Sequence, residues 1–398
     1  MGKRYDFDRV IERHGTGALK TDALAERYGR PDLTPLWVAD MDFATPDFII
    51  DAMRRRLDHP VLGYTVEPSD YRPAIIDWHS RLYGTQVRPE WLCYIPGIVK
   101  GIGLAVEIFT SPGESIIIQP PVYHPFRLVP EGDGRKVVYN PLRELPEGGY
   151  AMDLDGLERL AREGAKMLIM ASPHNPAGVC WDRETLARVA EICDRHGVIV
   201  ISDEIHSEMV LWGGSHIPFY SVSDEARRCS ITFGAPTKTF NMAGVVSSYA
   251  IVPDAVMRDK YYGMLHANEL DEPHLLAPIA TIAAYREGDD WRRWMLEYVE
   301  GNVKFVEEYC AEHLPGVKPL RPEASFLVWL DCRGLGLDHD SLVELFVDGA
   351  RLALNDGEMF GPGGAGHMRL NIGCPRSVLH AALESLREAL AGEDACAE

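Results

Sequence analysis

Val198-Ile199-Val200-Ile201-Ser202-Asp203-Glu204 is the stretch that decides the fold, because four apolar residues run directly into a polar, acidic segment. A short apolar run with such an end is consistent with a buried strand. Amphipathic helical patterns separate this run from others of similar length. The predicted strands are residues 115–119, 136–139, 166–170, 198–202, 230–233 and 247–252. Strands that alternate with helices predict an α/β fold with a mostly parallel sheet.

The helix before this strand has the clearest boundaries. Residues 183–196 place Leu186, Val189 and Cys193 on one face. Asp182 is suited to cap the N-terminus, and Gly197 is suited to end the helix. We therefore expect a crossover helix between the third and fourth predicted strands.

The later part of the chain has a different pattern. From about residue 290 it predicts a long charged helix, a strand over residues 324–331, a helix from residue 341, and a closing strand and helix over residues 367–391. A chain of 398 residues also exceeds what one hydrophobic core usually organises. We expect a large α/β domain of residues 46–284. A smaller α+β domain would combine residues 1–45 with residues 285–398.

The composition excludes several classes of protein. Hydrophobic residues make up 46% of the chain, yet no apolar stretch is long enough for a membrane-spanning helix. The formal net charge of −20 repels nucleic acid and anionic lipid, so neither is expected as a partner. The eight cysteines form no C-x-x-C pair, and the N-terminus has no apolar signal region. We expect reduced thiols and a cytoplasmic location.

Three polar segments follow three of the predicted strands. Ligands bind at the carboxyl ends of strands in open α/β sheets. Each segment alone has an ordinary explanation, such as an Asn-Pro turn, a helix cap at Asp203, or a surface lysine at Lys238. An Asn-Pro turn, then an acid, then a lysine in this order favours one shared site. The segments are residues 171–178, 202–208 and 235–244.

The second segment also allows a metal hypothesis. If the strand continued, its alternation would put Glu204, His206 and Glu208 on one face. A metal site needs further ligands, and none is well placed. We therefore expect no metal, and a metal-dependent hydrolase is the least favoured alternative.

Taken together, the three segments resemble those of the fold-type I enzymes that use pyridoxal 5′-phosphate. Within that superfamily, which includes the class I/II aminotransferases, the chain is most similar to the MalY/PatB-type cystathionine β-lyases, also called cysteine-S-conjugate β-lyases. The resemblance extends over nearly the whole chain and implies a large domain with a mostly parallel seven-stranded sheet plus a smaller α+β domain. Further matching stretches are residues 37–43, 63–65, 123–126, 324–333, 355–361 and 368–376.

The resemblance implies a role for each matched residue. Lys238 would hold the cofactor through its amine and then move protons at the substrate Cα. Asp203 would keep the pyridine nitrogen protonated. Asn175 would donate a hydrogen bond to the ring's phenolic oxygen, with His206 nearby, and Tyr123 would lie against the ring face.

Neutral donors are expected to bind the cofactor's phosphate. Gly97, Ile98 and Val99 lie just before a helical run and would offer free backbone amides. Thr237 would add a hydroxyl. The resemblance implies that Tyr64 reaches this phosphate from a neighbouring subunit, so the active unit would be a homodimer with a shared active site.

The substrate is expected to be a small amino acid. Arg369 would hold its α-carboxylate through two hydrogen bonds, although a structural salt bridge is the alternative explanation. Asn175 and Ala39 would also contact the substrate, as would Trp37 unless it is an ordinary core aromatic. The predicted catalytic residues are Lys238, Tyr123 and Tyr64.

The predicted reaction is β-elimination from L-cystathionine or a related cysteine S-conjugate, which gives a thiol, pyruvate and ammonia. A class I/II aminotransferase is the first alternative. Relatives resembling aspartate aminotransferase carry an arginine after the lysine, whereas this chain has Val245 and Val246 in that stretch. A cofactor-binding regulatory protein with weak lyase activity is the second alternative.

Overall fold

The computed structural model describes residues 5–146 and 148–397. Within them the chain alternates between strands and helices. The strands are β1 (Thr34–Pro35), β2 (Leu92–Ile95), β3 (Ser115–Ile118), β4 (Lys136–Tyr139), β5 (Arg143–Glu144), β6 (Tyr150–Ala151), β7 (Met167–Ala171), β8 (Ile199–Asp203), β9 (Ser230–Gly234), β10 (Ser248–Ile251), β11 (Lys318–Leu320), β12 (Leu327–Asp331), β13 (Leu352–Ala353), β14 (Asn355–Asp356) and β15 (His367–Asn371).

The helices cover the large sheet and form much of the C-terminal part. They are α1 (Leu19–Asp22), α2 (Leu24–Tyr28), α3 (Asp47–Leu57), α4 (Tyr71–Tyr83), α5 (Ile98–Phe109), α6 (Pro125–Gly132), α7 (Leu154–Arg162), α8 (Arg183–His196), α9 (Asp224–Cys229), α10 (Ala255–Ala267), α11 (Ala277–Glu287), α12 (Asp289–His313), α13 (His339–Glu344) and α14 (Arg376–Ala397). Across the described ranges, none of them has the length and apolar character needed to cross a membrane.

The large sheet has seven strands in the order β2-β10-β9-β8-β7-β3-β4. Strands β9, β8, β7, β3 and β4 are parallel neighbours, whereas β10 is antiparallel to both β2 and β9. The predicted mostly parallel α/β fold is therefore confirmed. All six predicted strands are present, with ends that differ by at most one residue. The edge strand β2 is the one that the sequence patterns did not reveal, because it is short and ends directly at Pro96-Gly97.

The sheet separates two apolar layers, because successive side chains of a strand point to opposite faces. In β7, Met167 and Ile169 pack in one hydrophobic cluster, while Leu168 and Met170 pack in another. Burial on both faces explains why the parallel strands are continuous apolar runs rather than alternating ones.

Helix α8 has the predicted boundaries. The Asp182 carboxylate accepts a hydrogen bond of 2.7 Å from the backbone amide of Thr185. Gly197 ends the helix in the left-handed conformation, with φ of 68°. The helix returns the chain from β7 to β8, which brings the ends of these two strands side by side.

The C-terminal part contains a second sheet in the order β11-β12-β15-β14. The N-terminal segment joins this part of the chain, because β1 pairs in parallel with β13 in a separate two-stranded sheet. This pairing supports the proposed small domain, whose boundaries stay a prediction. The predicted strand over residues 324–331 begins only at Leu327, because Ser325 adopts a left-handed φ of 79° that a strand cannot include.

Candidate active site

The carboxyl ends of β7, β8 and β9 bring the three polar segments together. Asp203 lies opposite Ala171 on one side and Phe233 on the other. Asn175 follows β7 by four residues, and Lys238 follows β9 by four residues. The parallel register therefore places the acid between the asparagine and the lysine, as expected from the order of the segments.

These segments open onto a cavity of about 320 Å³. It lies between the strand ends, the start of α5 and the start of α6. Its lining residues are Ala39, Pro96, Gly97, Ile98, Val99, Lys100, Tyr123, Phe126, Ala171, Asn175, Asp203, Ile205, His206, Thr237, Lys238, Ala243, Val246 and Ser248. Most of the residues predicted to bind the cofactor face this one cavity.

The Lys238 side chain reaches the cavity as an amine with lowered basicity. Burial lowers its pKa to about 8, and nearby Arg369 acts in the same direction. Asp40 and Asp203 oppose this shift. The Nζ atom donates a hydrogen bond of 2.6 Å to the backbone oxygen of Ala39. A substantial fraction of the amine is therefore neutral, and so nucleophilic, near neutral pH.

Asp203 is a buried carboxyl at the end of β8. Burial raises its pKa to about 7, against the opposing effects of the Ile205 backbone amide and Lys238. The amide of Ile205 donates to Oδ1 over 3.1 Å. A buried carboxyl of this kind is suited to a cationic partner such as a protonated ring nitrogen.

Arg369 lies in the middle of β15 with only 4% of its surface exposed. It donates to the side-chain oxygens of Asn175 and Asn355 and to the backbone oxygen of Trp37. Its Nε atom is buried without a partner. Within the described residues no carboxylate lies within 4 Å of this guanidinium, so the structural salt bridge that was the alternative explanation is absent there. A buried cation among neutral oxygens is suited to an anionic ligand.

Tyr123, Asn175 and His206 form the polar wall around Lys238. The Tyr123 amide donates to the Asn175 backbone oxygen over 3.1 Å, which ties the two residues together. Burial lowers the pKa of His206 to about 3, so its ring is neutral. Its Nδ1 is 3.1 Å from the hydroxyl of Ser325, the residue whose left-handed backbone delays the start of β12.

The predicted phosphate site coincides with a helix N-terminus. Helix α5 begins at Ile98, six residues before residues 104–109, the helical run that the sequence pattern predicts. Gly97 has φ of 116°, which favours glycine, and the amides of the first turn have no partners within the helix. The hydroxyl-bearing residues Thr237 and Ser248 line the same cavity.

These features together fit the predicted cofactor. The partly buried amine of Lys238 matches an aldehyde, and the buried carboxyl of Asp203 matches a ring nitrogen. The helix N-terminus that begins after Gly97 matches a phosphate. Ser248 and Asn355 were not identified as site residues from the sequence. Asn355 begins one of the stretches that resemble the family, but no pattern indicated that it would bind Arg369.

The strand geometry behind the metal hypothesis is wrong. Strand β8 ends at Asp203, and Ser207–Met209 form a short 3-10 helix, so residues 204, 206 and 208 do not alternate along a strand. Glu204 instead contacts His216 over 2.8 Å, and Glu208 contacts Trp78 and Tyr285. Among the side chains that the structure describes, no group of three or more His, Cys, Asp or Glu residues could hold a metal ion.

Besides Arg369, which lies beside the cavity, the predicted site residues Trp37 and Tyr64 lie outside the cavity lining. The Trp37 ring packs against Tyr28, and its Nε1 donates to the backbone oxygen of Lys20 over 2.9 Å. Only its backbone oxygen contacts a site residue, Arg369. Tyr64 is fully exposed in the single chain. The roles assigned to both residues stay predictions.

Comparison with known proteins identifies the family. The model of the aminotransferase class I and II family matches residues 31–386. Cystathionine beta-lyase PatB of Bacillus subtilis is 40% identical, over 97% of this chain and 100% of that protein.

Two solved structures cover nearly all of the chain. One is a pyridoxal-phosphate-bound protein of Clostridium difficile 630, named provisionally as an aminotransferase, with 37% identity, a TM-score of 0.95, and coverage of 97% of this chain and 100% of that one. Cystalysin of Treponema denticola, which contains pyridoxal 5′-phosphate, shows 31% identity, a TM-score of 0.94, and coverage of 98% and 100%. This chain belongs to the aminotransferase class I and II family, within its MalY/PatB-type branch.

Proposed function

We propose that this chain is a pyridoxal-5′-phosphate-dependent carbon–sulfur lyase. It cleaves L-cystathionine or a related cysteine S-conjugate to a thiol, pyruvate and ammonia. The observation that carries the proposal is the partly buried Lys238 amine in one cavity with Asp203, while Arg369 stands beside the site without a carboxylate partner in the described residues. The names of the similar proteins favour a lyase over an aminotransferase.

Different residues of the cavity would bind different parts of the cofactor. Lys238 would hold its aldehyde carbon, Asp203 its ring nitrogen, and the amides after Gly97 its phosphate. Asn175 and His206 lie beside Lys238, where the ring's phenolic oxygen would need donors. When bound, pyridoxal phosphate withdraws electrons from the substrate Cα and so makes the Cα proton more acidic.

The protein's own groups then bind and move protons. Arg369 binds the α-carboxylate, which orients the substrate in the cavity. The neutral amine of Lys238 takes the Cα proton. The electron pair of the Cα–H bond forms the Cα–Cβ double bond, and sulfur leaves as a thiolate with the pair of the Cβ–S bond. The Lys238 ammonium returns its proton to the thiolate, which gives the thiol. Hydrolysis of the released enamine gives pyruvate and ammonia.

The reaction is tested by supplying the purified enzyme with L-cystathionine and no keto acid. Pyruvate, ammonia and a thiol should form in equal amounts. Amino-group exchange with an added keto acid, without pyruvate release in its absence, would assign the chain to the aminotransferases instead. Lys238→Ala should abolish both the visible absorbance of the bound cofactor and the turnover.

The active unit is a homodimer in a cytoplasmic setting, with Tyr64 of each chain directed to the phosphate of the other. The full exposure of Tyr64, together with exposed Val61, Leu62 and Val66, supports a surface that a second copy covers. The regulatory alternative stays a prediction. A pull-down from a bacterial lysate separates it from the lyase, since only a regulator would retain a transcription factor.

A further inference from the structure

A short segment, residues 37–41, separates Lys238 from the small-domain sheet. We call it the strap. Its backbone oxygens accept hydrogen bonds from different side chains. Trp37 O accepts from Arg369 over 3.1 Å, and Ala39 O accepts from Lys238 over 2.6 Å. The oxygens of Val38 and Asp40 accept from Asn371 instead. The strap therefore presents two acceptors to the two cations of the site.

One side chain contacts the carbonyls before and after Ala39, and Lys20 Nζ also donates to the second of them, Asp40 O, over 3.2 Å. Asn371 is fully buried at the end of β15, two residues after Arg369. Its Nδ2 donates to Val38 O over 2.6 Å and to Asp40 O over 2.7 Å, so it holds the carbonyls on both sides of Ala39. Its Oδ1 accepts from the Gly373 amide over 2.8 Å, which fixes the orientation of the amide group.

The remaining contacts of the strap anchor its ends. Asn241, which follows Lys238 by three residues, exchanges two hydrogen bonds with Met41. The Asp40 carboxylate pairs with Arg13 and so is not directed at Lys238. Lys238 Nζ makes no other hydrogen bond in the described residues, which leaves Ala39 O as its acceptor there.

We propose that Asn371 is a positioning residue that turns the Ala39 carbonyl toward the Lys238 amine whenever that amine is free of the cofactor. The proposal rests on the proposed function, because a lysine that holds a cofactor must release it once in each turnover. A carbonyl oxygen accepts a hydrogen bond but takes no proton at neutral pH. It therefore orients the amine for proton transfer at Cα without competing for the proton.

The chain supplies a matched control. Asn302 on α12 is also fully buried, and its Nδ2 donates to the backbone oxygens of Ile372 and Cys374 over 2.8 and 2.9 Å. Its Oδ1 accepts from Arg376. Asn302→Ala therefore removes the same type and number of hydrogen bonds without releasing the strap.

The first readout uses the full-length chain without cofactor. The pKa of the Lys238 amine is measured from the pH dependence of its labelling by acetic anhydride, followed by mass spectrometry. In Asn371→Ala this pKa should fall by about one unit, because the ammonium form loses its oriented acceptor. It should stay within about 0.3 units in Asn302→Ala. Since neither variant changes Asp40, Arg369 or Asp203, their charges are common to all three proteins.

The second readout uses the holoenzyme with L-alanine, which has no leaving group at Cβ. Exchange of its Cα proton with deuterated water is followed by NMR. The exchange rate should fall about 100-fold in Asn371→Ala, because a small displacement of the Lys238 amine can reduce the rate of proton transfer by about that factor. The concentration of L-alanine at half-maximal rate should change less than about threefold, because Arg369 is intact. Should Asn371→Ala fail to fold, Asn371→Leu keeps the volume and removes the same donors, with Asn302→Leu as its control.

The outcomes separate the two proposals. Equal changes in the Asn371 and Asn302 variants, or no change in either, would overturn the role of Asn371. Borohydride reduction of the wild-type holoenzyme is tested in parallel. If it fixes no cofactor to Lys238, the proposed function is wrong, while the pKa of the free amine still tests the hydrogen-bond geometry.

Discussion

Lys238 combines burial with a single backbone acceptor, and its pKa of about 8 should govern how the enzyme acquires its cofactor. Only the neutral amine attacks an aldehyde. The rate at which cofactor-free enzyme takes up pyridoxal phosphate should therefore rise with pH, reach half of its maximum near pH 8, and level off about one pH unit higher. Stopped-flow absorbance measures this rate. A rise that continues toward pH 10.5, the ordinary lysine pKa, would show that burial has not lowered the basicity of the amine.

Arg369 shows how one residue can have two kinds of partner. In the structure its donors meet neutral oxygens of Asn175, Asn355 and Trp37, and Phe360 lies 5.0 Å below the guanidinium. Burial lowers its pKa to about 10, so it stays charged at neutral pH. A substrate carboxylate would supply the negative charge that these oxygens lack. The same contacts hold the planar group in a fixed orientation for a two-bond interaction.

At the scale of elements, the start of helix α5 should control cofactor affinity. Gly97 has φ of 116°, and an alanine there would strain the backbone that presents the first amides of the helix. Gly97→Ala should weaken binding of pyridoxal phosphate about tenfold, corresponding to about 1.4 kcal/mol. Equilibrium dialysis of the cofactor against the full-length variant measures this.

A second glycine separates this local effect from general strain. Gly84 follows α4 with φ of 66°, and a Cβ atom there would meet nothing within 4 Å. Gly84→Ala should lower the midpoint of thermal unfolding about as much as Gly97→Ala does, but it should leave cofactor affinity unchanged. If the two variants lose affinity equally, the start of α5 is not the phosphate site.

Elements with a strong local signal could be predicted from the sequence, and elements fixed by distant contacts could not. Helix α8 carries its own cap, Asp182, and its own stop, Gly197. The parallel strands are continuous apolar runs. Strand β12 begins late because Ser325 adopts a left-handed backbone conformation, and its side chain contacts His206, which lies in another part of the chain.

The same distinction applies to the candidate site. Lys238, Asp203 and Asn175 follow strands whose order could be inferred, so their proximity could be predicted. Asn371 could not be assigned a role, because its partners Val38 and Asp40 lie more than 300 positions away along the chain. The Trp37 ring packs against Tyr28 and donates to Lys20, contacts that the sequence did not reveal, so its place in the substrate pocket stays a prediction. Sequence patterns report strand ends well and side-chain directions in loops poorly.

At the scale of the whole molecule, a buried acid behind the site should make stability depend on pH. Glu208 is 2% exposed and accepts hydrogen bonds from Trp78 and Tyr285. Burial raises its pKa from 4.5 to about 7, so the folded chain holds a proton that the unfolded chain releases between these values. The contribution of Glu208 to stability should therefore fall as pH rises from about 4.5 to about 7.

Glu208→Gln removes this titration but keeps an oxygen for both donors. The free energy of unfolding of the wild type minus that of the variant should decrease across this pH range and stay constant above about pH 7. Its slope should not exceed about 1.4 kcal/mol per pH unit, the limit for one proton. Denaturant titrations at several pH values measure the difference. A difference that is flat from pH 4.5 to 7 would mean that Glu208 ionises normally in the folded chain.

If each active site is shared between two subunits, a mixture of two inactive variants should recover part of the wild-type activity. Lys238→Ala removes the amine, and Tyr64→Ala removes the exposed ring that is proposed to reach the partner's phosphate. In a mixed dimer, one site combines the intact Lys238 of one chain with the intact Tyr64 of the other, and the second site lacks both. Random mixing makes half of the dimers mixed, so about a quarter of all sites should be native. Unfolding and refolding an equal mixture should therefore recover about 25% of wild-type pyruvate release. Each variant treated alone is the control, and a mixture no more active than these controls would place Tyr64 in the site of its own chain or outside the site altogether.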